Sequence, residues 1–346
     1  MGALIQVRRD SNYNWYATNP VLSAGEPGYD LDLKIFKIGD GTTPWNNLTP
    51  SAPEVGYSSV VMGASTSDPS SLATDTIRLY NKTLAARNMP KVRSRDGLPF
   101  HLQPLLATSR FGMMNPIGGT NTPTYIGSYS ALTALGTATA RAVTTASFLT
   151  RLRRLGYVSA ATAGSFAGVR TSVGQITTGG PGPGTGFFKV IRFGISDATL
   201  VSGSRMFVGL STSVSAPTNV NPDTLKNCIG VGHQDLNIGS TNLQLYYGGT
   251  YSQSPIELQG DFIVSSSNAT VYELALWAPQ DRYIVGWQVT NLNSGYSQSG
   301  VIPCDDPGML PPSTSLLCHT LAWRNNNTTA SAVGLDIISD YIETDY

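Results

Sequence analysis

Residues 4–48 constrain this chain more than any other stretch. Ile5 and Val7 alternate with polar neighbours, which predicts a short strand with one buried face. Asp10 or Ser11 is placed to cap a short helix carrying Trp15. Gly25 and Gly28 bracket a turn, Tyr29 opens a strand, and Phe36 with Ile38 forms one face of another. Asp40-Gly41 is a tight-turn signal, and Trp45 follows it. Fewer than 50 residues with two tryptophans and little other apolar mass are not expected to close a core alone. Such a segment calls for a partner, most simply copies of itself, with Trp15, Phe36, Ile38 and Trp45 packing between chains.

The same residues carry a resemblance. The paired Arg8 and Arg9, the helix Trp15, the run Gly25-Glu26-Pro27-Gly28-Tyr29 and the ending Lys37-Ile38-Gly39-Asp40-Gly41-Thr42-Thr43-Pro44-Trp45 occur in fixed order. This pattern resembles the amino-terminal domain shared by phage tail fibres, phage hyaluronidases and the major tropism determinant. The resemblance spans residues 4–48 and implies an intertwined trimeric β head that fixes a fibre to a virion.

Charged residues make up only 13% of the chain, about half the usual share of about 25%, while hydrophobic residues reach 40%. That balance excludes a charge-driven disordered chain and suits a β-protein with uncharged polar surfaces and many turns. Lysine plus arginine equal aspartate plus glutamate at 22 each, so no basic excess points to nucleic acid or to a membrane surface. No apolar run has signal-peptide or membrane-spanning length, which predicts folding in a cytoplasm without membrane insertion. Cys228, Cys304 and Cys318 lack metal-type spacing and read as reduced, buried thiols, with a Cys304–Cys318 bridge as the alternative.

Three divisions follow: residues 1–50 as an attachment and trimerisation module, 51–130 as an extended connector, and 131–346 as a distal β-sandwich. The Thr49–Pro53 run starts the connector. Within it, residues 76–80 alternate as a strand, and Lys82, Arg87, Lys91, Arg93 and Arg95 form a basic cluster. That cluster reads as a solvated face, with an acidic virion partner as the alternative. The block Pro99-Phe100-His101-Leu102-Gln103-Pro104 resembles one common in phage fibre proteins. Residues 138–155 lack glycine and proline except at their flank, and fit either a helix ended by Gly156 or a strand. Beyond the flexible 179–186 loop, strands are predicted at 187–195, 205–210, 243–247, 262–264, 271–277, 283–290, 317–323 and 334–342. Their spacing, with Ser/Gly/Asn/Pro turns, predicts a two-sheet, jelly-roll-like sandwich. The runs Arg192–Asp197, Pro217–Val220, Val271–Leu276 and Tyr341–Asp345 also resemble a domain at the end of phage fibres, which implies a lectin-like, trimeric sandwich.

Catalytic chemistry finds little support. A glycan hydrolase needs two carboxylates about 5–10 Å apart in a groove. Asp305 and Asp306 are adjacent in a Pro-rich turn, and Asp336, Asp340, Glu343 and Asp345 read as solvent-exposed on the last strand. The histidines His101, His233 and His319 sit in no nucleophile or zinc pattern, so neither a cofactor nor a metal is expected. Sugar binding instead needs exposed aromatics beside amides and hydroxyls. Trp287 reads as core, while Trp277 and Trp323 are ambiguous at strand ends. Gln244 and Tyr246 share a strand face opposite Leu243, Leu245 and Tyr247, and Tyr251 and Tyr296 lie in turns. Gln244, Tyr246, Tyr251 and Tyr296 are therefore the candidate receptor-binding residues. The function expected is a homotrimeric phage virion fibre, bound to a capsid, neck or tail protein and meeting a host-surface glycan or protein. The rivals are a decoration fibre without a dedicated receptor and a glycan-hydrolysing spike.

Overall fold

The computed structural model describes residues 7–51, 61–69, 72, 76–94, 100–101, 110–128, 130–180, 184–197, 199–235, 241–264 and 269–344. Ile5, Arg95, the Leu102-Gln103-Pro104 turn and Asp345 lie outside them. The chain forms two compact units, 1–63 and 64–346.

In the first unit, β1 (Arg8–Asp10), β2 (Pro27–Asp30) and β3 (Phe36–Ile38) form one small sheet in the order β1-β2-β3. The β1–β2 pair is parallel and β2–β3 antiparallel. Helix α1 (Asn12–Thr18) connects the parallel pair, and Ser11 Oγ caps it by accepting from the Asn14 amide. Asp40 Oδ1 accepts from the amides of Thr42 and Thr43, which holds the turn that contains Gly41 at φ +81°. Four hydrogen bonds thus draw Asp40's carboxyl well below its ordinary range, the Thr43 hydroxyl contributing most.

The second unit begins with a hairpin, β4 (Ile77–Leu84) and β5 (Arg87–Ser94), extended by β6 (Phe100–His101). There follow β7 (Arg110–Asn115), β8 (Thr124–Gly127), β9 (Thr133–Leu135) and β10 (Thr137–Ala140). After the one-turn helix α2 (Phe148–Arg151) come β11 (Leu155–Val158), β12 (Phe166–Arg170), β13 (Gly174–Ile176) and β14 (Phe187–Ile195). The remainder is β15 (Arg205–Ser211), β16 (Cys228–His233), β17 (Gln244–Gly248), β18 (Ile256–Glu257), β19 (Tyr272–Ala278) and β20 (Ile284–Asn291). The last three are β21 (Ser297–Pro303), β22 (Leu317–Asn325) and β23 (Gly334–Thr344).

These strands build two antiparallel sheets. Sheet I runs β10-β11-β23-β14-β19-β20-β21, with β7 also on β23 and β8 on β7; sheet II runs β18-β17-β16-β15-β22-β12-β9, with β13 on β22. Leu274, Leu276, Ile191 and Phe193 of sheet I meet Val208, Leu210, Val231 and Leu245 of sheet II in one core. The chain is mainly β with large sandwich sheets, as expected. Strands β7 and β8, from the stretch expected to be connector, belong to sheet I. Residues 138–155 form neither one helix nor one strand, but β10, the α2 turn and the start of β11. Residues 262–264 make only an isolated bridge at Ile263. The three cysteines are free and buried.

Asp336, Asp340 and Glu343 on β23 are buried, which corrects the solvent-exposed reading. β23 lies between two neighbours along most of its length, so each carboxylate needs a counter-charge. Asp336 receives Arg154 Nε at 2.9 Å and Arg141 Nε at 3.1 Å. Asp340 pairs with Lys189 between the sheets and also accepts from the Thr320 hydroxyl. Glu343 pairs with Arg87 at 2.8 Å. A second pair inside the sandwich joins Arg324 to Asp197 at 2.6 Å, with Ser204 accepting from Arg324 Nη2.

Because breaking a buried pair strands a charge, Lys189→Ala should cost about 3–5 kcal/mol, while the double change Lys189→Met with Asp340→Leu should cost far less. Thermal melts of the full chain decide it; equal losses would contradict the pairing. The histidines add a pH dependence. Burial lowers His319 from 6.5 to about 4 and His233 from 6.5 to about 3, with Lys189 and Arg324 pushing the same way. The unfolded chain binds these protons below about pH 6.5 and the folded chain does not, so stability should fall steadily from pH 6.5 to 4. His319→Gln should flatten that slope in melting curves.

Candidate functional site

The first unit closes a core within one chain. The indoles of Trp15 and Trp45 stack at 3.9 Å between centroids and 14° between planes, and pack with Leu22 and Leu48. Trp15 Nε1 donates to Tyr29 O at 3.1 Å, and Lys37 Nζ donates to Trp45 O at 2.8 Å across the Trp45 ring. Gly28, which was read as the end of a turn but lies within β2, is needed for this packing, because a Cβ there would lie 2.5 Å from Trp45 Cζ3. Trp15 and Trp45 are therefore not left to pack between chains, a correction to the expectation that this segment cannot close a core. Stacking explains it: two indoles in contact supply most of the apolar area that a small module needs.

Phe36 and Ile38 behave differently. They share one face of β3 and are 39% and 44% exposed, while Lys37 between them is buried. Tyr13, Tyr16, Val21, Leu31 and Leu33 of the same unit are also exposed. With Val61, eight large apolar side chains are exposed among the described residues of this unit.

In the second unit, Gln244 and Tyr246 are buried, which corrects their reading as outward-facing contact residues. The alternation itself holds: Leu243 and Leu245 enter the main core, and Tyr246 lies on the opposite face. That face is covered. Tyr246 packs with Phe207, Cys228, Cys318, Leu321 and Trp323, and Leu225 from the 212–227 loop between β15 and β16 lies against them. The Tyr246 hydroxyl donates to Gln244 Oε1 at 2.6 Å, and burial raises its pKa. Tyr251 and Tyr296 are 68% and 42% exposed. They do not meet. The turn with Tyr251 is tied to Gly248 at one end of β17, whereas Tyr296 packs at a tilt of 55° against Phe262, whose carbonyl accepts from the Leu243 amide at the other.

A cleft on the outer face of sheet I escaped sequence reasoning. Glu343, Phe188 and Trp277 form a row across β23, β14 and β19. Arg87 lies over the Phe188 ring at 4.6 Å and donates to Glu343 Oε2; Tyr341 donates to Glu343 Oε1 at 2.6 Å. The hairpin β4–β5 presents Arg87. Its tip residues Ala85 and Ala86 have φ of +50° and +66°, and a Cβ on Gly286 would lie 2.1 Å from Ala85 O. With Thr185, Gln280 and Thr344 these groups enclose about 210 Å³. Only the alternation around Phe188 and Tyr341 hinted at this face; the hairpin that completes it lies some 250 residues away in the chain, at a sequence separation of 256 for Arg87 and Glu343. His101's side chain lies outside the described residues, His233 and His319 are buried, and no metal-holding cluster occurs among the described residues. Asp306 caps a turn, accepting from the Gly308 amide at 2.7 Å. No helix of the described residues is long and apolar enough to cross a membrane.

Residues 5–43 match the family described as the major tropism determinant N-terminal domain. No curated protein matches the chain in sequence. Similar solved structures include peanut lectin with the peptide PVIWSSATG, 12% identical, covering 68% of this chain and 97% of that one at a TM-score of 0.44. Basic winged bean lectin with Tn-antigen is 10% identical, with 68% and 98% covered and a TM-score of 0.42. Lectin I from Ulex europaeus in complex with the methyl glycoside of α-L-fucose is 11% identical, with 69% and 98% covered and a TM-score of 0.43.

Trp45→Ala should remove the indole stack and cost the first unit about 3–5 kcal/mol, leaving the melting of the sandwich unchanged. Tyr251→Ala and Tyr296→Ala should shift stability by less than about 1 kcal/mol, Tyr246→Ala by about 3–5. Calorimetry of the full chain separates the three cases.

Proposed function

We propose that this chain is a structural fibre of a bacteriophage virion. It is a homotrimer, bound through its first unit to a capsid, neck or tail protein, and it presents the sandwich to a glycan or protein of the host surface. The observation that carries the reading is the match of residues 5–43 to the major tropism determinant N-terminal domain. The exposed Phe36 and Ile38 on one strand face support it, since a second copy or a virion protein covers apolar side chains that one chain leaves in water. Tyr251 and Tyr296 are accessible to a receptor, and loops on a rigid sandwich change without disturbing the sheets.

Light scattering should return three times the 36.7 kDa chain mass. Burial of each large apolar residue is worth about 1.5–3 kcal/mol, so Phe36→Asp with Ile38→Asp should shift the trimer toward monomers that keep the sandwich melting transition. A wild-type monomer would refute the trimer. Virions assembled with a chain lacking residues 1–50 should carry no fibre, and retention would place attachment elsewhere.

A further inference from the structure

We propose that the cleft holding Arg87, Trp277 and Glu343 binds one neutral hexopyranose residue of a surface glycan. This deepens the adhesion reading and rests on it only for the source of the sugar. The floor is rigid: Glu343, Phe188 and Trp277 occupy one row on three hydrogen-bonded strands. Strands about 4.8 Å apart place the carboxylate and the indole on bases roughly 10 Å from one another, a span that one pyranose ring with its hydroxyls bridges. Trp277 is half-buried, so part of its ring is open to the C–H face of a sugar.

The polar side of the cleft is already oriented. Arg87 is held by the Phe188 ring and by Glu343, and Glu343 by the Tyr341 hydroxyl. A guanidinium has five N–H donors and a carboxylate has about four lone-pair sites, so this arrangement has donor and acceptor capacity for adjacent hydroxyls. Groups fixed before binding lose less side-chain entropy on binding. Gln280 adds a side-chain amide at the rim, where the Thr185 hydroxyl donates to Gln280 O at 2.9 Å and fixes that segment.

Charge and size narrow the ligand. The described lining carries one cation, Arg87, and one anion, Glu343, already paired. No net positive charge is present there to favour a uronic or sialic acid. A volume of about 210 Å³ is below the roughly 300–1,000 Å³ of drug-sized sites, which suits one ring rather than a length of polymer. Among the described lining residues Glu343 is the single carboxylate, whereas hydrolysis needs a pair.

The test titrates the full-length protein with methyl glycosides of glucose, galactose, mannose and rhamnose, and with methyl glucuronide as the charged control. Saturation-transfer NMR and tryptophan fluorescence report binding. At least one neutral glycoside should bind with a dissociation constant on the order of 1 mM. Trp277→Ala and Gln280→Ala should weaken it about tenfold and threefold in chains that still show the cooperative sandwich melting transition, and Tyr251→Ala should leave it as in the wild type. Glu343→Gln should also weaken binding, and Gln280→Ala serves should that variant fail to fold. Failure of every neutral glycoside to bind, preference for the glucuronide, or undiminished binding by folded Trp277→Ala overturns the proposal. Host-cell adhesion separates the two readings. Folded Trp277→Ala that adheres as well as wild type overturns this site and spares adhesion. Glycoside binding by a wild-type chain that does not adhere supports the cleft and overturns adhesion.

Discussion

The second unit depends on carboxylates that its central strand buries. β23 is paired on both sides along most of its length, and its Asp336, Asp340 and Glu343 each meet a cation from a different part of the chain. Arg141 and Arg154 arrive from the segment around α2, Lys189 from the neighbouring strand β14, and Arg87 from the distant hairpin β4–β5. A buried pair contributes little net stability, because desolvation offsets attraction, but a mispaired one is costly. A slip of β23 by one residue would turn its acids to the wrong faces and strand the cations. The pairs therefore select one register for the longest strand in the molecule and, through it, one seat for the hairpin.

How much of this was legible follows from what alternation records. Most strands from β14 onward that carry the sandwich core showed in the sequence, because Phe187, Ile191 and Phe193 or Leu274 and Leu276 repeat with period two, but β16 and β21, which bring Ile229, Val231 and Ile302 to that core, were not among the predicted strands. The face of Tyr246 was legible as well. Its burial was not, since Leu225 of the 212–227 loop packs on that face, and loops of mixed polarity carry no periodic signal. The same blindness affected Asp336, Asp340 and Glu343: a charge on a strand reads as exposed unless its partner is known, and Arg87 is 256 positions from Glu343. Short strands such as β9, β13 and β18, two or three residues each, exist through their neighbours and not through their own composition.

In the first unit, the cap and turn signals were read well, whereas packing and the strand bounds were not: β1 is Arg8–Asp10 and exposed, where a buried face at Val7 was expected, and Gly28 lies inside β2. Ser11 as cap, the Gly25 turn and the Asp40-Gly41 turn each rest on contacts within a few residues. The pairing of Trp15 with Trp45 spans 30 positions and is enabled by the absence of a side chain at Gly28. Counting apolar mass underestimated the core because it ignored geometry: two stacked indoles exclude water from one another and from Leu22 and Leu48 together. With the tryptophans satisfied internally, Phe36 and Ile38 stay exposed on one face of β3, as do Tyr13, Tyr16, Val21, Leu31 and Leu33 elsewhere on the unit.

The outer faces of the two sheets are treated unequally. Sheet II hides Phe207, Tyr246 and Trp323 beneath Phe166 and Leu225, the latter from the 212–227 loop. Sheet I hides Ala275 beneath Leu84, Ala85 and Met89 of the hairpin, yet leaves Trp277 of the next row half-buried. The hairpin stops where Ala85 O meets Gly286, and at that edge Arg87 turns down onto Phe188 and Glu343. The cleft is thus the place where covering ends, and its walls inherit the rigidity of the strands below. Recognition by a sheet face of this kind loses little entropy on binding, but has room for few contacts. Under the proposed function, three copies of such a cleft on the proposed trimer would raise a weak grip through effective concentration without any new contact.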